Sequence, residues 1–582
     1  MTDSQPPQEF RLKRSSSILG ILRSFSATEK ALFGFFAVVM LVSTIYMFSR
    51  ANMYFLTEIP ASGGSFHEGM VGLPRTINPV LAISDVDRDI ASLVYAGLMK
   101  YDKDALVPDL AKEYKVSDDG LTYTFTLRTD IFFHDGSPLT ADDIIFTIQK
   151  IQDPVLKSPR RPDWTDVTVN RISPAEIQFI LKQPYAPFLS NTTLGILPKH
   201  IWGNLTENEF IFNNHNTEPV GAGPYKVAGV SEDSESIPTQ YTLSTWRKYH
   251  GDAPFIDSIY VTFFSDEANA LDALKNGNID SLSSISATGA ATLESGSTDE
   301  HYSVLSSPLP RIFGVFFNQN NNPVLADKIV RRALNMSIDR QTIVDAVLFG
   351  YGTPIQSPLP LEQSSIRATT GTSSDVVAAM ELLERNDWKK GEDGIYQVKT
   401  KTSTQRLAFT LYTADTPDLK ETANLLKDSW LKLGVDVEVK VFEPNDLYQN
   451  IIRTRKYDAL LFGEHIGKDR DLYAFWHSSQ RTAPGLNVSM YTNSKADTLL
   501  EEIRTTRDET LRSKKYKEFE ELIATDIPAL FLYSPDFIYA VPTKIHAINL
   551  GDISVPTDRW NSIRSWYITT EKVWEWFARI ES

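Results

Sequence analysis

The sequence predicts an α/β protein of several domains, with one apolar helix in front of them. Residues 406–462 follow strand and helix patterns in the order β-α-β-α-β, which is typical of a parallel sheet with right-handed crossovers. The chain has 582 residues, too many for a single hydrophobic core. Residues 31–49 hold no charged residue, and that length matches the roughly 20 residues that a helix needs to cross a bilayer.

The first fifty residues have the pattern of a membrane anchor. The apolar run 31–49 is bracketed by two basic residues, and residues 1–30 contain five Lys or Arg against three acidic residues. This asymmetry favours a cytoplasmic N-terminus and a single transmembrane helix. A cleaved signal peptide is the alternative, with Ala51 and the small residues 61–63 as candidate cleavage sites.

Residues 123–148 predict a strand, a tight turn and a capped helix. Apolar residues alternate with threonines from 122 to 127, as in a strand with one buried face. Residues 134–138 then provide a glycine for a positive φ and a proline for a fixed φ. Thr140 stands three residues before Asp143, the spacing of a capping box.

The segment 406–462 predicts where a ligand would bind. Its elements are a strand over 407–411, a helix from 418 to the cap residue Gly434, a strand over 435–441, a helix over 446–454 and a strand over 458–462. In open parallel sheets ligands sit outside the carboxyl ends of the strands. Those ends lie at 413–416, 442–444 and 463–465.

Other patterned segments complete the prediction. They are a helix over 85–95, a helix near 107–111, strands over 225–230 and 259–264, a helix over 266–275, a strand over 312–317 ending in Asn318, a helix over 327–335, a helix over 497–525 broken near Asp508, and a strand over 527–533 that returns to the first half of the chain.

Composition and charge exclude several classes of function. Of the 58 basic and 74 acidic residues in the chain, six and three lie within positions 1–50, so residues 51–582 carry 52 and 71, a net charge of −19. A surface this acidic repels nucleic acid. The chain has no cysteine, which excludes disulfides and thiolate metal sites. It contains no recognisable nucleophile, zinc-protease or phosphate-loop motif, so we predict no catalytic residue, no metal and no cofactor.

Several motifs, in the same order along the chain, resemble family 5 of the extracellular solute-binding proteins, the oligopeptide- and dipeptide-binding components of ABC importers. The motifs are Leu127-Arg128, Phe133-His134-Asp135-Gly136, Pro138–Asp143, Phe146-Thr147, Leu197–Trp202, Pro219–Tyr225, Gly277–Asp280, and Val330–Asn335 with Ile338-Asp339-Arg340. In Pro219–Tyr225 this chain has Ala222 where the family pattern has threonine. The resemblance covers about residues 65–545.

The resemblance implies a two-lobed fold of the periplasmic-binding-protein type (type II, cluster C) with an extra subdomain. It divides the ectodomain into lobe I over 65–97, 184–311 and 540–582, an extra subdomain over 98–183, and lobe II over 312–539. The charge and hydropathy pattern adds a cytoplasmic tail over 1–30, a transmembrane anchor over 31–50 and a linker over 51–64.

The resemblance also implies how a ligand is held. In the family two lobes close over a peptide, strand-like hydrogen bonds satisfy its backbone, and an acid following the strand equivalent to 460–462 pairs with its α-ammonium group. Glu464 takes that position here. The alternative is that the acids in this segment, including Asp469 and Asp471, only cap a helix near 472–476 and do not contact a ligand. The predicted ligand contacts are Glu464, His465, Asp469, Asp471, Asn487, Tyr491 and Asn318.

The expected function is therefore that of a monomeric, membrane-anchored bacterial receptor. It would capture oligopeptides or dipeptides outside the cell by hinge closure and deliver them to the permease subunits of an ABC importer. Three alternatives remain open: another solute, such as a nickel chelate, an oligosaccharide or an opine; a sensor that does not transport; and, last, an extracellular hydrolase.

Overall fold

The computed structural model describes residues 25–102, 105–296, 301–359, 374–401 and 403–574, with the backbone alone at 51–55 and 296. The chain forms two compact units, one of residues 1–61 with 569–582 and the other of residues 62–568. Most of the predicted cytoplasmic tail, residues 1–24, lies outside the described residues.

In the described residues the strands are β1 (Leu56–Ala61), β2 (Ser65–Val71), β3 (Met99–Asp102), β4 (Ala105–Pro108), β5 (Ala111–Val116), β6 (Thr122–Leu127), β7 (Val167–Ser173), β8 (Glu176–Leu181), β9 (Tyr225–Glu232), β10 (Pro238–Thr245), β11 (Ser258–Phe264), β12 (Ser281–Ser283), β13 (Tyr302–Pro308), β14 (Arg311–Phe317), β15 (Gly352–Pro354), β16 (Lys389–Lys390), β17 (Tyr396–Lys399), β18 (Thr404–Arg406), β19 (Ala408–Ala414), β20 (Asp436–Phe442), β21 (Ala459–His465), β22 (Ala529–Pro542) and β23 (Thr569–Trp574). The helices are α1 (Ala27–Phe55), α2 (Asp85–Val94), α3 (Ala141–Gln152), α4 (Arg161–Trp164), α5 (Phe188–Asn191), α6 (Lys199–Trp202), α7 (Glu207–Ile211), α8 (Glu267–Lys275), α9 (Ala287–Gly296), α10 (Pro323–Ala326), α11 (Lys328–Met336), α12 (Arg340–Leu348), α13 (Val376–Glu384), α14 (Pro417–Leu433), α15 (Pro444–Asp446), α16 (Tyr473–Trp476), α17 (Ser494–Thr505) and α18 (Glu509–Asp526).

The smaller unit consists of α1 and a two-stranded ribbon. A capping box between Ser26 and Glu29 starts α1, and its residues 27–50 are long and apolar enough to span a membrane, with none of that stretch buried. The next residue after α1 begins β1, which pairs antiparallel with β23. The segment predicted as a linker over 51–64 therefore contains the end of a helix and a strand.

The larger unit is organised by a sheet that passes through both lobes. Among the described residues it has twelve strands, in the order β20-β19-β21-β14-β22-β12-β2-β11-β10-β9, with β13 and β15 also paired to β22. Each of the two ends of this strand order packs against a large hydrophobic core. One core centres on β14, β19 and β21, and the other on β2, β10 and β11.

The chain crosses between the lobes in two places. The first crossing is the short link from β13 to β14 at residues 309–310. The second is within β22, which pairs with β14 and β15 up to Pro535 and with β13 from Asp536 onward. The predicted lobe boundary at 539/540 thus lies a few residues beyond the point at which β22 changes partners.

The β-α-β-α-β prediction for the second lobe is confirmed for its three strands and its first helix, whereas the helix predicted over 446–454 is the short α15 followed by a π-helical turn over Leu447–Ile452. β19 pairs in parallel with both β20 and β21, and α14 connects the first two strands. Gly434 ends α14 with φ 95°, a left-handed conformation that glycine adopts without steric cost. The buried Trp430 on the inner face of α14 packs edge-on against Phe409 of β19.

Most other predicted elements are also present, with one error. The break near Asp508 is real, because Asp508 caps the start of α18. The helix predicted near 107–111 is wrong: that segment contributes to strands β4 and β5. Strands β5, β6, β8 and β7 form a separate four-stranded antiparallel sheet, within the residues 98–183 that we predict as the extra subdomain.

Candidate functional site

The central feature of the candidate site is a buried acid at the carboxyl end of β21. Glu464 is 4% exposed, and neither of its carboxylate oxygens has a hydrogen-bond partner among the described residues. Burial raises the pKa of this carboxyl well above its usual range, because the charged form loses its hydration and gains nothing in return.

The register of the sheet brings Glu464 to the junction between the lobes. β21 runs antiparallel to β14, so that Glu464 lies opposite Ile312 and His465 opposite Arg311. The next residue, Ile466, donates its backbone N–H to the carbonyl of Pro310 at 3.0 Å. Pro310 is part of the first lobe crossing, so Glu464 ends a second-lobe strand directly beside the hinge.

His465 lies next to Glu464 at the same strand end. Partial burial and the positive charge of Arg311 lower the pKa of its imidazole. This ring is therefore neutral at pH 7 and can donate or accept one hydrogen bond.

Asp469 and Asp471 lie on the loop after β21, which we call the crossing loop (residues 466–471). The Ser190 hydroxyl of the first lobe donates to Asp469 at 2.7 Å, and burial raises the pKa of Asp469. Asp471 is 3.0 Å from the Arg504 guanidinium and accepts a hydrogen bond of 3.4 Å from the Tyr185 hydroxyl. Both acids therefore connect the second lobe to residues of the first.

Asp471 also begins the local structure that the sequence offered as an alternative. Its side chain accepts from the backbone N–H of Tyr473 at 3.1 Å, at the start of α16. Leu472 is the N-cap residue of this helix and makes no side-chain cap hydrogen bond, so Asp471 supports the first turn from one residue before the cap while it also contacts the first lobe.

The other three predicted residues are engaged within the second lobe. Asn318 follows the far end of β14, about 20 Å along the sheet from Glu464, and its amide donates to the carbonyl of Arg455. The amide of Asn487 donates to three backbone carbonyls, and its oxygen accepts from the N–H of Tyr491. The hydroxyl of Tyr491 donates to Asp526 at 2.7 Å. These contacts hold loops in place, and they leave little capacity for a ligand.

Sequence reasoning missed the first-lobe partners of the crossing loop. The Lys468 ammonium lies 3.6 Å from the Asp558 carboxylate and 4.3 Å from the centroid of the Tyr101 ring. The Tyr101 hydroxyl in turn donates to Ser190 at 3.1 Å. Nothing in the local sequence marks these residues, which come from separate parts of the first lobe.

The motif at 133–143 lies away from this site and holds first-lobe segments together. The neutral His134 ring accepts from the N–H of Gly221 and donates to the carbonyl of Gly223 at 3.0 Å, and burial lowers its pKa to about 4. Asp135 pairs with His200 at 2.6 Å, and Asp143 accepts from the N–H of Lys199 at 2.9 Å. The motif therefore joins three of the sequence fingerprints to each other.

The described residues hold no cluster of three or more His, Cys, Asp or Glu side chains that could bind a metal ion. What the site offers is an unpaired buried carboxyl, a neutral histidine and a loop that contacts the opposite lobe. Such an arrangement can bind a solute between lobes, and it contains no nucleophile paired with a base.

Comparison with known proteins shows which protein family the chain resembles. The sequence profile of the bacterial extracellular solute-binding proteins, family 5 Middle, matches residues 105–485. Protein XP55 of Streptomyces lividans is 31% identical over 483 residues, covering 82% of this chain and 84% of that protein. The oligopeptide-binding protein AppA of Bacillus subtilis is 29% identical over 502 residues, covering 84% and 89%.

Solved structures agree with these sequence matches. The structure of AppA of Bacillus subtilis in complex with a nonapeptide aligns with this chain at a TM-score of 0.67 and 26% identity. The alignment covers 88% of this chain and 100% of the AppA chain. NikZ of Campylobacter jejuni in complex with Ni(L-His) matches 86% and 99%, with a TM-score of 0.68 and 26% identity.

The two lobes, the double crossing and the site at their junction define a solute-binding protein of the periplasmic-binding-protein type. The chain belongs to family 5 of the bacterial extracellular solute-binding proteins. Proteins of this family are transport receptors and not enzymes.

Proposed function

We propose that this protein is a membrane-anchored receptor that captures peptides outside the cell and passes them to the permease of an ABC importer. The observation that carries the peptide assignment is Glu464, a buried carboxyl without a partner at the lobe junction. An unpaired buried acid costs stability, and a bound cation would remove that cost.

A peptide fits this site by its chemistry. Its α-ammonium group is a compact cation with three hydrogen-bond donors, which matches the two free oxygens of Glu464. Its backbone needs hydrogen bonds when buried, and the strand ends at the junction provide them. The crossing loop then closes the other side through Asp469 and Lys468. Among the relatives, AppA is an oligopeptide-binding protein that has been solved with a nonapeptide.

The pairing of β1 with β23 supports an uncleaved anchor. Cleavage within residues 61–63 would remove β1 and leave β23 without its partner, and a lone strand has no independent stability. The unbroken helix from Ala27 to Phe55 joins this ribbon to the apolar span. We therefore propose a single-pass protein with residues 56–582 on the extracytoplasmic side, acting as a monomer and without nucleic acid.

A ligand screen tests the peptide assignment directly. The full chain in detergent would be melted in the presence of a peptide library, nickel chelates, opines or oligosaccharides. A ligand at 100 times its Kd stabilises the folded state by about 2.7 kcal/mol, which raises the Tm measurably. We expect free peptides to raise the Tm; a rise with another class and none with peptides at millimolar concentration would replace this proposal.

The variant Glu464→Gln tests the role of the acid. It preserves the shape and removes the charge, so we expect it to weaken binding of free-amine peptides at least tenfold and binding of N-acetylated peptides much less. Glu438→Gln, on the exposed face of β20, is the matched control. Equal losses for both kinds of peptide would remove Glu464 from recognition of the amine.

Reconstitution separates transport from sensing. The full chain and its permease would be placed in vesicles, and ATP-dependent uptake of a labelled peptide would be measured. Uptake that requires the receptor supports the importer, whereas binding without uptake supports a sensor.

A further inference from the structure

The C-terminal strand returns to the end of the membrane helix. α1 ends at Phe55, and β1 begins with the next residue. Because β23 is antiparallel to β1, its last residue, Trp574, lies opposite Leu56, the first residue after the helix. β23 therefore runs from the far end of the ribbon toward the anchor.

The dimensions of the helix place this end of the ribbon at the surface of the bilayer. The apolar run 31–49 is about 28 Å long as a helix, close to the roughly 30 Å of the hydrocarbon core. Residues 50–55 add about 9 Å, a little more than the roughly 5–7 Å of one headgroup layer. Leu56 and Trp574 consequently lie where the headgroups meet water.

The side chains of the ribbon change character along its length. The end next to α1 carries Leu56, Val573 and Trp574, and the indole of Trp574 is 50% exposed. Two residues further along the ribbon, Glu58 and Lys572 form an exposed ion pair at 3.4 Å. Ile59, Pro60 and Ala61 lie beyond these charges, so apolar residues occur at both ends of the ribbon. Trp574, at the end next to α1, is the one aromatic residue of the ribbon.

From this exposed tryptophan beside the end of α1 we infer that the α1-proximal end of the ribbon, centred on Trp574, is a second membrane contact that inserts into the headgroup layer. An indole combines an apolar ring with one N–H donor, which suits the boundary between hydrocarbon and water. The inference rests on the proposed anchoring by α1, and it assigns the end of β23 to the membrane surface.

Single-cysteine labelling tests this contact, because the chain has no cysteine of its own. Val573→Cys and Thr569→Cys lie on the same face of β23, four residues or about 13 Å apart. Each full-length variant would carry an environment-sensitive fluorophore in vesicles of phosphatidylcholine and phosphatidylglycerol that contain a lipid with a nitroxide headgroup.

We expect the nitroxide to quench the label at 573 several-fold more than the matched label at 569. Adding Trp574→Ser to the Val573→Cys variant should reduce quenching at 573 to the level at 569. Equal quenching at the two positions, or quenching unaffected by Trp574→Ser, would overturn the contact.

Alkaline extraction of the same vesicles separates this inference from the proposed anchor. Retention of the chain after extraction supports the anchor whatever the quenching result. Release of the chain would overturn the anchor and, with it, the second contact.

Discussion

At the level of single residues, Glu464 has a protonation state that its environment controls. Its position after a buried strand could be read from the sequence, because alternating valines and an apolar run identify β20 and β21. Its lack of a partner could not, since that depends on which side chains the fold leaves at the lobe junction. The same limit applied to Asn487, whose amide is occupied by backbone groups of its own loop.

Binding of a free-amine peptide should release a proton from Glu464. The raised pKa favours the neutral form of this carboxyl in the free protein, whereas an ammonium group favours the carboxylate. Affinity should therefore rise with pH until Glu464 ionises in the free protein, and fall again above the α-amino pKa of about 8. Isothermal titration calorimetry in two buffers of different ionisation enthalpy measures the released proton. Identical heats in both buffers, or a proton still released by Glu464→Gln, would contradict this assignment.

At the level of elements, residues of the sequence motifs form contacts between segments that are distant in the chain. His134 joins the turn before α3 to the glycine loop before β9. Local patterns predicted the strands and helices of the second lobe because each has a clear hydrophobic period. They failed for β1, since its six residues have no strong alternation and gain their structure from pairing with β23, more than five hundred residues later.

Replacing Gly223 by alanine should destabilise the first lobe. A Cβ atom at this position would lie 2.6 Å from the carbonyl oxygen of Leu93, so the backbone on one side would have to move. We expect a loss of about 1–3 kcal/mol and a Tm lower by several degrees. Gly229→Ala is the matched control on β9, because nothing lies within 4 Å of its Cβ position. Equal Tm values for the two variants would show that the loop adapts without cost.

At the level of the whole molecule, the crossing loop is the feature that local sequence could not reveal. Its partners Tyr101, Ser190 and Asp558 are separated from it by between 90 and several hundred residues. Family resemblance predicted that two lobes would close on each other. Which side chains meet when they close depends on the packing of both lobes, and no periodic pattern encodes it.

Removing the charge of Lys468 should shift the protein toward an open arrangement of the lobes. Lys468→Met keeps the apolar stem and loses both the ion pair with Asp558 and the cation–π contact with Tyr101. Because the pair is only partly exposed, we expect a loss of roughly 1–2 kcal/mol of closure free energy. The closed population would then fall, and peptide affinity would drop about five- to thirtyfold if closure is required for binding.

Pulsed electron–electron distance measurements between one spin label on each lobe report the two populations directly, and the cysteine-free chain permits such labelling. Lys427→Met, at an exposed position of α14, is the matched control for loss of a positive charge. Distances that do not differ between Lys468→Met and this control would show that the crossing loop rests against the first lobe without stabilising closure. If Lys468→Met shifts the distances and the control does not, contacts within the receptor supply part of the free energy of closure. A bound peptide then needs to supply only the remaining part.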